Sequence, residues 1–195
     1  MGKIFCLMGK SSTGKDTIFS ILKNGTTLKP IVLYTTRPMR NNEENGREYY
    51  FINEERLAEY QECNKVIEQR VYQTVNGPWY YATIDDGQFE LEDNYIMIVT
   101  LEAYINLVKY FGEEKVIPIY VQVEDGKRLE RAIQRERQQG TPNYEELCRR
   151  FLADSRDFSN ENLQKANINK YYDNNDLDEC VKEIKREIQQ IIYGK

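Results

Sequence analysis

The sequence predicts an α/β fold built on a parallel sheet. Three observations carry that expectation. Lys3–Met8 is a short apolar run followed directly by a Gly/Ser/Thr-rich loop and a helical pattern. Tyr95–Leu101 and Val116–Val123 are near-continuous apolar runs, as expected of strands covered on both faces. Between them, Glu102–Phe111 has the composition of a crossover helix.

The other elements follow in chain order. Asp16–Lys23 carries Ile18, Ile21 and Leu22 at helical spacing and ends near Gly25. Pro30–Thr36 contains a second strand. Arg47–Ile52, Val66–Tyr72 and Trp79–Thr83 are rich in strand formers, and Asn53–Cys63 reads as a polar helix. Gly126–Gln139 and Tyr144–Phe158 read as charged helices around Gly140-Thr141-Pro142. The Asn-rich stretch Asn160–Asn175 reads as loop and turn. Val181, Ile184, Ile188 and Ile191 share one face of a terminal helix.

With 195 residues the chain is long enough for one α/β unit with a proper core. A net charge of −5 argues against a general nucleic-acid binder, whereas basic clusters at Arg37–Arg47 and Arg128–Arg156 suit a small anionic ligand. Cys6, Cys63, Cys148 and Cys180 form no C-x-x-C pair, and without histidine no zinc site is complete. There is no signal peptide and no apolar run of membrane-spanning length, so the expectation is a cytoplasmic protein without a membrane partner. Lacking histidine, the chemistry must rest on Lys, Arg, carboxylates, hydroxyls and backbone.

Gly9-Lys10-Ser11-Ser12-Thr13-Gly14-Lys15 matches G-x-x-x-x-G-K between a strand and a helix. Such a loop turns backbone N–H groups, aided by the helix dipole, onto phosphate oxygens. Lys15 can reach the terminal phosphates as a point charge. The next residue, where a Mg²⁺-binding Ser or Thr is usual, is Asp16, followed by Thr17. Asp16 could bind the metal directly or through water, Thr17 could supply the hydroxyl instead, and Asp16 could equally be a partner of the helix dipole alone.

Thr35-Thr36-Arg37-Pro38-Met39-Arg40 is followed by Glu43, Gly46, Tyr49, Tyr50 and Phe51. Two arginines and a tyrosine hydroxyl can converge on one phosphate. Together with the phosphate loop, this segment resembles the guanylate kinase family, which carries T-T-R-x-x-R-x-x-E-x-x-G-x-x-Y-x-F just after its second strand. Every named element is present, and weaker matches run along the whole chain.

The resemblance implies a P-loop NTPase-type parallel sheet core (1–33, 90–125 and 159–195). A small subdomain binding the nucleoside monophosphate (34–89) and a helical lid (126–158) complete it. It implies transfer of a phosphoryl group from ATP to GMP (and dGMP), with Mg²⁺. The chain would act as monomer or homodimer. ATP would be held by Gly9, Ser11, Ser12, Thr13, Gly14, Lys15, Asp16, Thr17 and Asn174. GMP would be held by Arg37, Arg40, Glu43, Tyr49, Glu68, Tyr81, Thr83 and Glu102. Glu68 and Thr83 fall where the family reads the guanine edge, and Tyr81 where it contacts the acceptor phosphate. Lys15, Arg137 and Arg150 are the expected catalytic cations, with Arg135 an alternative to Arg137. Asn174 lies where the family approaches adenine, although Asp176 or Asp178 could make the segment a plain helix cap.

Two departures touch the acceptor side. Leu33 replaces a serine, and Thr100 and Glu102 stand where the family has aspartates. They keep two rival readings open: the same fold acting on another or modified nucleotide, and a binding module without catalysis.

Overall fold

The computed structural model describes residues 2–40, 43–74, 77–90 and 92–194. The chain runs β1 (Ile4–Met8), α1 (Lys15–Gly25), β2 (Lys29–Pro30), β3 (Leu33–Thr35), β4 (Tyr49–Phe51) and α2 (Glu54–Glu62). It continues through β5 (Val66–Thr74), β6 (Gly77–Ile84), β7 (Tyr95–Ile98), α3 (Leu101–Phe111), β8 (Val116–Gln122) and α4 (Asp125–Arg137). It ends with α5 (Tyr144–Asp157), α6 (Asn160–Lys165), β9 (Tyr171–Asp173) and α7 (Leu177–Tyr193).

β1 is central because all five of its residues are buried. Parallel neighbours flank it, β7 on one side and β8 on the other, within a five-stranded sheet of order β2-β7-β1-β8-β9. Alternate residues serve opposite faces. Ile4, Cys6 and Met8 pack with Tyr104 and Leu107 of α3 and with Phe158 and Leu163. Phe5 and Leu7 pack with Ile18 and Leu22 of α1 and with Ile184 and Ile188 of α7. Two covered faces are why these strands read as unbroken apolar runs.

A second sheet has the order β4-β3-β6-β5, with β3 parallel to β4 and antiparallel to β6, and β6 antiparallel to β5. Leu57 of α2 closes one face of it over Tyr34, Ala82 and Ile84. The single strand expected within Pro30–Thr36 is therefore divided. β2 ends the core sheet and β3 opens the small one, and Ile31 N–H still donates to the Ile96 carbonyl at 3.1 Å where the chain crosses.

Two elements lie where loop was expected. α6 is capped by Ser159, whose side chain accepts from Asn162 N–H, and it buries Leu163. β9 pairs parallel with β8 and buries Tyr172. Six- and three-residue elements leave too little periodicity to read, and their stability comes from packing. The strand expected over Tyr95–Leu101 stops at Ile98, because Thr100 caps α3 by accepting from Ala103 N–H. Among the described residues, no helix is long and apolar enough to cross a membrane.

The cysteines divide by depth. Cys6 and Cys180 are buried, while Cys63 and Cys148 are exposed, and all four are free. Burial pushes the Cys6 thiol far above its ordinary value and raises Cys180 to about 11. Titration of the native protein with a chromogenic disulfide at pH 8 is expected to consume Cys63 and Cys148 quickly and the other two only in denaturant. Rapid reaction of all four would show that the core is not closed.

Candidate active site

The phosphate loop leaves the carboxyl end of β1 and turns into α1. Ser12 (φ 64°) and Gly14 (φ 86°) are left-handed, whereas Thr13 between them is not, and such alternation curls backbone N–H groups into an anion-binding nest. A Cβ on Gly9 would lie 2.5 Å from the Val121 carbonyl oxygen, so only glycine lets the loop cross β8 this closely.

The loop is braced from three directions. Asn174 is buried and donates from Nδ2 to the Thr13 carbonyl at 2.7 Å. Arg128, only 1% exposed, donates from Nη1 to the Ser11 carbonyl at 2.9 Å and stacks 4.5 Å from the Phe151 ring centroid. Asp154 of α5 accepts from Ser11 N–H at 2.6 Å. An acidic oxygen thus already sits on a loop N–H, which is the interaction a phosphate oxygen would make.

Lys15 donates from Nζ to the Lys10 carbonyl at 3.3 Å. Burial pulls its pKa below the ordinary value. The charges of Asp16 and Asp154 raise it, and those of Arg135 and Arg128 lower it further. Several polar atoms here have no hydrogen-bond partner among the described residues: buried Ser12 Oγ on the loop, Asn174 Oδ1 after β9, and Arg150 Nε on α5. Arg150 Nε lies 3.5 Å from Glu146 Oε1, outside hydrogen-bond geometry. Unsatisfied buried polar atoms are costly, so their concentration around one loop marks where a polar ligand belongs.

Asp16 and Thr17 are both exposed on the first turn of α1. No group of three or more carboxylates, thiols or imidazoles among the described residues could cage a metal unaided. One or two hard oxygens beside a phosphate cradle do suit a magnesium ion that arrives on a polyphosphate and keeps most of its own ligands.

The second cluster lies on the small sheet. Arg37 (4% exposed) donates from Nη2 to Glu43 Oε1 at 2.7 Å and from Nη1 to the Pro38 carbonyl at 2.8 Å. Burial works against the Arg37 cation, yet Glu43 and Tyr81 outweigh it and its pKa rises. Glu43 also accepts from Arg40 N–H at 2.9 Å, so it shapes the basic loop, and the Arg40 side chain stays exposed. Tyr49 and Tyr81 meet edge to face at 5.6 Å, and the Arg37 guanidinium lies 5.8 Å from the Tyr49 ring centroid. One arginine and two tyrosines therefore cluster on this face, and their guanidinium and hydroxyl donors suit an oxyanion.

Beside it lies a buried carboxylate. The β5–β6 register shifts between Val66 and Glu68, and this irregularity sets Glu68 opposite Thr83. Thr83 Oγ1 donates to Glu68 Oε1 at 2.7 Å. The Glu68 side chain has no exposed surface, and Arg70, two residues along the same strand, is its counter-charge at 3.0 Å. Arg70 also donates from Nη1 to Thr100 Oγ1 at 3.0 Å.

The structure thus brings together Gly9–Lys15 with Asn174, Arg37 with Glu43, Tyr49 and Tyr81, and Glu68 with Thr83. Glu102 is exposed in the first turn of α3, and Thr100, the cap of that helix, also accepts from Arg70 Nη1. Arg135 and Arg137 are both exposed on α4, and of these two it is the charge of Arg135 that acts on Lys15. The sequence reading missed Arg70, Arg128 and Asp154. Arg70 had a signal, because residues two apart on a strand share a face with Glu68.

Gly14 tests the loop geometry. Its φ is left-handed, and an added Cβ would lie 2.5 Å from Asn174 Nδ2. Gly14→Ala is expected to weaken ATP binding at least about tenfold, since the strained conformation costs roughly 1 kcal/mol or more and displaces the brace. Asn174→Ala in the same chain should recover part of that loss, as read by calorimetry. No recovery would show that Asn174 does not crowd the loop.

The matches to known proteins agree with this geometry. The guanylate kinase family model matches residues 1–191. Guanylate kinase from Porphyromonas gingivalis is 27% identical, over 98% of this chain and 99% of its own. The Mycoplasma mobile guanylate kinase is 30% identical, over 98% of this chain and 94% of its own. The crystal structure of guanylate kinase from Anaplasma phagocytophilum has the same fold, with a TM-score of 0.63 at 17% identity, over 98% of this chain and 87% of that one. The chain belongs to the guanylate kinase family of nucleoside monophosphate kinases.

Proposed function

We propose that this chain transfers the γ-phosphoryl group of ATP to GMP, giving ADP and GDP. The observation that carries the acceptor is the buried Glu68 carboxylate beside Thr83, next to an Arg37–Tyr49–Tyr81 cluster for the acceptor phosphate. Guanine offers a ring N–H and an amino group to a carboxylate, and adenine offers no such pair on that edge.

The roles follow from charge and position. The Gly9–Lys15 loop holds the ATP phosphates through its N–H groups, and Lys15 neutralises charge on the γ-phosphoryl. Arg37, Tyr49 and Tyr81 hold the acceptor phosphate in line, with Arg40 approaching from the exposed loop and Glu43 fixing Arg37. Alignment of two bound reactants supplies much of the rate, and no covalent intermediate is needed. Arg150, with Arg135 in preference to Arg137, closes from the lid (126–158) over the transferring group, which spreads charge on its equatorial oxygens. Closure also excludes water. The Asp154 contact at Ser11 N–H must yield to a phosphate oxygen when ATP enters. Asp16 or Thr17, with the ATP phosphates, would hold a magnesium ion, which would supply further charge neutralisation. Free thiols support a cytoplasmic setting.

A coupled ADP-release assay with Mg·ATP and GMP, dGMP, AMP, CMP, UMP or dTMP tests the reading, with turnover of GMP and dGMP expected. Glu68→Gln is expected to lower kcat/KM for GMP by about 100-fold or more, since the partner of the purine N–H groups is lost, while KM for ATP is unchanged. Equal losses for both nucleotides would remove Glu68 from the base site.

A further inference from the structure

The surroundings of Glu68 restrict what its carboxylate can accept. Each carboxylate oxygen has two lone-pair sites. Oε1 receives Thr83 Oγ1 at 2.7 Å and Arg70 Nη2 at 3.4 Å. Oε2 receives Arg70 Nε at 3.0 Å. One acceptor site, on Oε2, stays open. Arg70 is not free to swing away, because its Nη1 is held by Thr100 at the start of α3 and its side chain is only 8% exposed.

The purines make different demands on that site. Guanine presents two donors along this edge, the ring N1–H and the 2-amino group. Hypoxanthine presents N1–H alone. Adenine presents an acceptor at N1 and an amino group at position 6. A carboxylate with one open site satisfies N1–H at full strength and leaves the 2-amino group to compete with Arg70. Adenine, whose N1 is an acceptor, cannot bond the open carboxylate site through N1, whereas guanine and hypoxanthine can.

We propose that the acceptor site takes 6-oxopurine nucleoside monophosphates as a class, IMP as well as GMP, and that Arg70 sets this breadth by occupying the Glu68 acceptor site the 2-amino group would use. The proposal rests on the reading of Glu68 as the base contact. The step is the same phosphoryl transfer, with IMP and ATP giving IDP and ADP. Arg70 is a positioning residue that acts on the base through Glu68.

The test compares kcat/KM for GMP, IMP and AMP in the wild-type chain and in Arg70→Ala and Arg70→Lys, with KM for ATP measured in each. The expected wild-type ratio of GMP to IMP is below about 10, because a fully made hydrogen bond from the 2-amino group to a charged acceptor would be worth tenfold or more. Both variants free Oε1, so the ratio should rise by about tenfold or more while KM for ATP stays constant. A wild-type ratio above that limit, or a ratio unmoved in both variants, overturns the proposal and leaves Arg70 as a brace between β5 and α3. Arg70→Lys keeps the positive charge beside buried Glu68 and guards against a variant that fails to fold. If neither variant folds, the wild-type ratio decides alone. AMP used as well as GMP is a different failure, since it removes Glu68 from base recognition altogether.

Discussion

The arrangement depends on a loop that presents positive potential to a ligand and therefore cannot satisfy itself. Lys15 is half-buried and held below its ordinary pKa, and Ser12 Oγ and Asn174 Oδ1 have no hydrogen-bond partner among the described residues. Such a loop is stable only where a rigid frame holds it. The parallel sheet provides that frame, with β1 fully buried between β7 and β8. Arg128, Asp154 and Asn174 then fix the loop from helices α4 and α5 and from the segment after β9. Two of these braces come from helices α4 and α5, so those helices and the loop are mechanically coupled.

The acceptor side obeys a related rule. A carboxylate with no exposed surface needs counter-charge and hydrogen bonds to offset its loss of water. Glu68 has both in Arg70 and Thr83, and the register shift in β5 makes the pairing possible. Arg70 extends the network to the N-cap of α3, which joins the small sheet to the core beside the Glu68 carboxylate.

Much of this was legible in the sequence, for physical reasons. The phosphate loop is local: its glycine spacing, the preceding apolar run and the following amphipathic helix lie within a single stretch. The Thr35–Phe51 segment is local in the same way, and its residues do gather around Arg37. Asn174 was expected near the adenine of ATP; in the structure it braces the Thr13 carbonyl, and Asp176 caps α7 as the plainer reading required. What escaped depends on contacts distant in sequence. Arg128 looked like one more lid arginine on an exposed face, yet it is buried against Ser11 and Phe151. Choosing between Arg135 and Arg137 needed the direction of α4 relative to Lys15. Thr100 was compared with an aspartate, whereas its local chemistry is that of a helix cap. α6 and β9 are too short to announce themselves and exist because Leu163 and Tyr172 are buried.

The central claim is that one chain holds two nucleotides facing each other, the donor on the Gly9–Lys15 loop and the acceptor on the Arg37–Glu68 face of the small sheet. The most direct measurement is calorimetric titration with a bisubstrate compound in which adenosine and guanosine are joined through a five-phosphate bridge. The account predicts one molecule bound per chain, tighter than ATP or GMP alone by about 100-fold or more, since the second site is engaged at high effective concentration. Excess of either nucleotide should displace it. Affinity no better than that of ATP, with displacement by ATP and not by GMP, would contradict it.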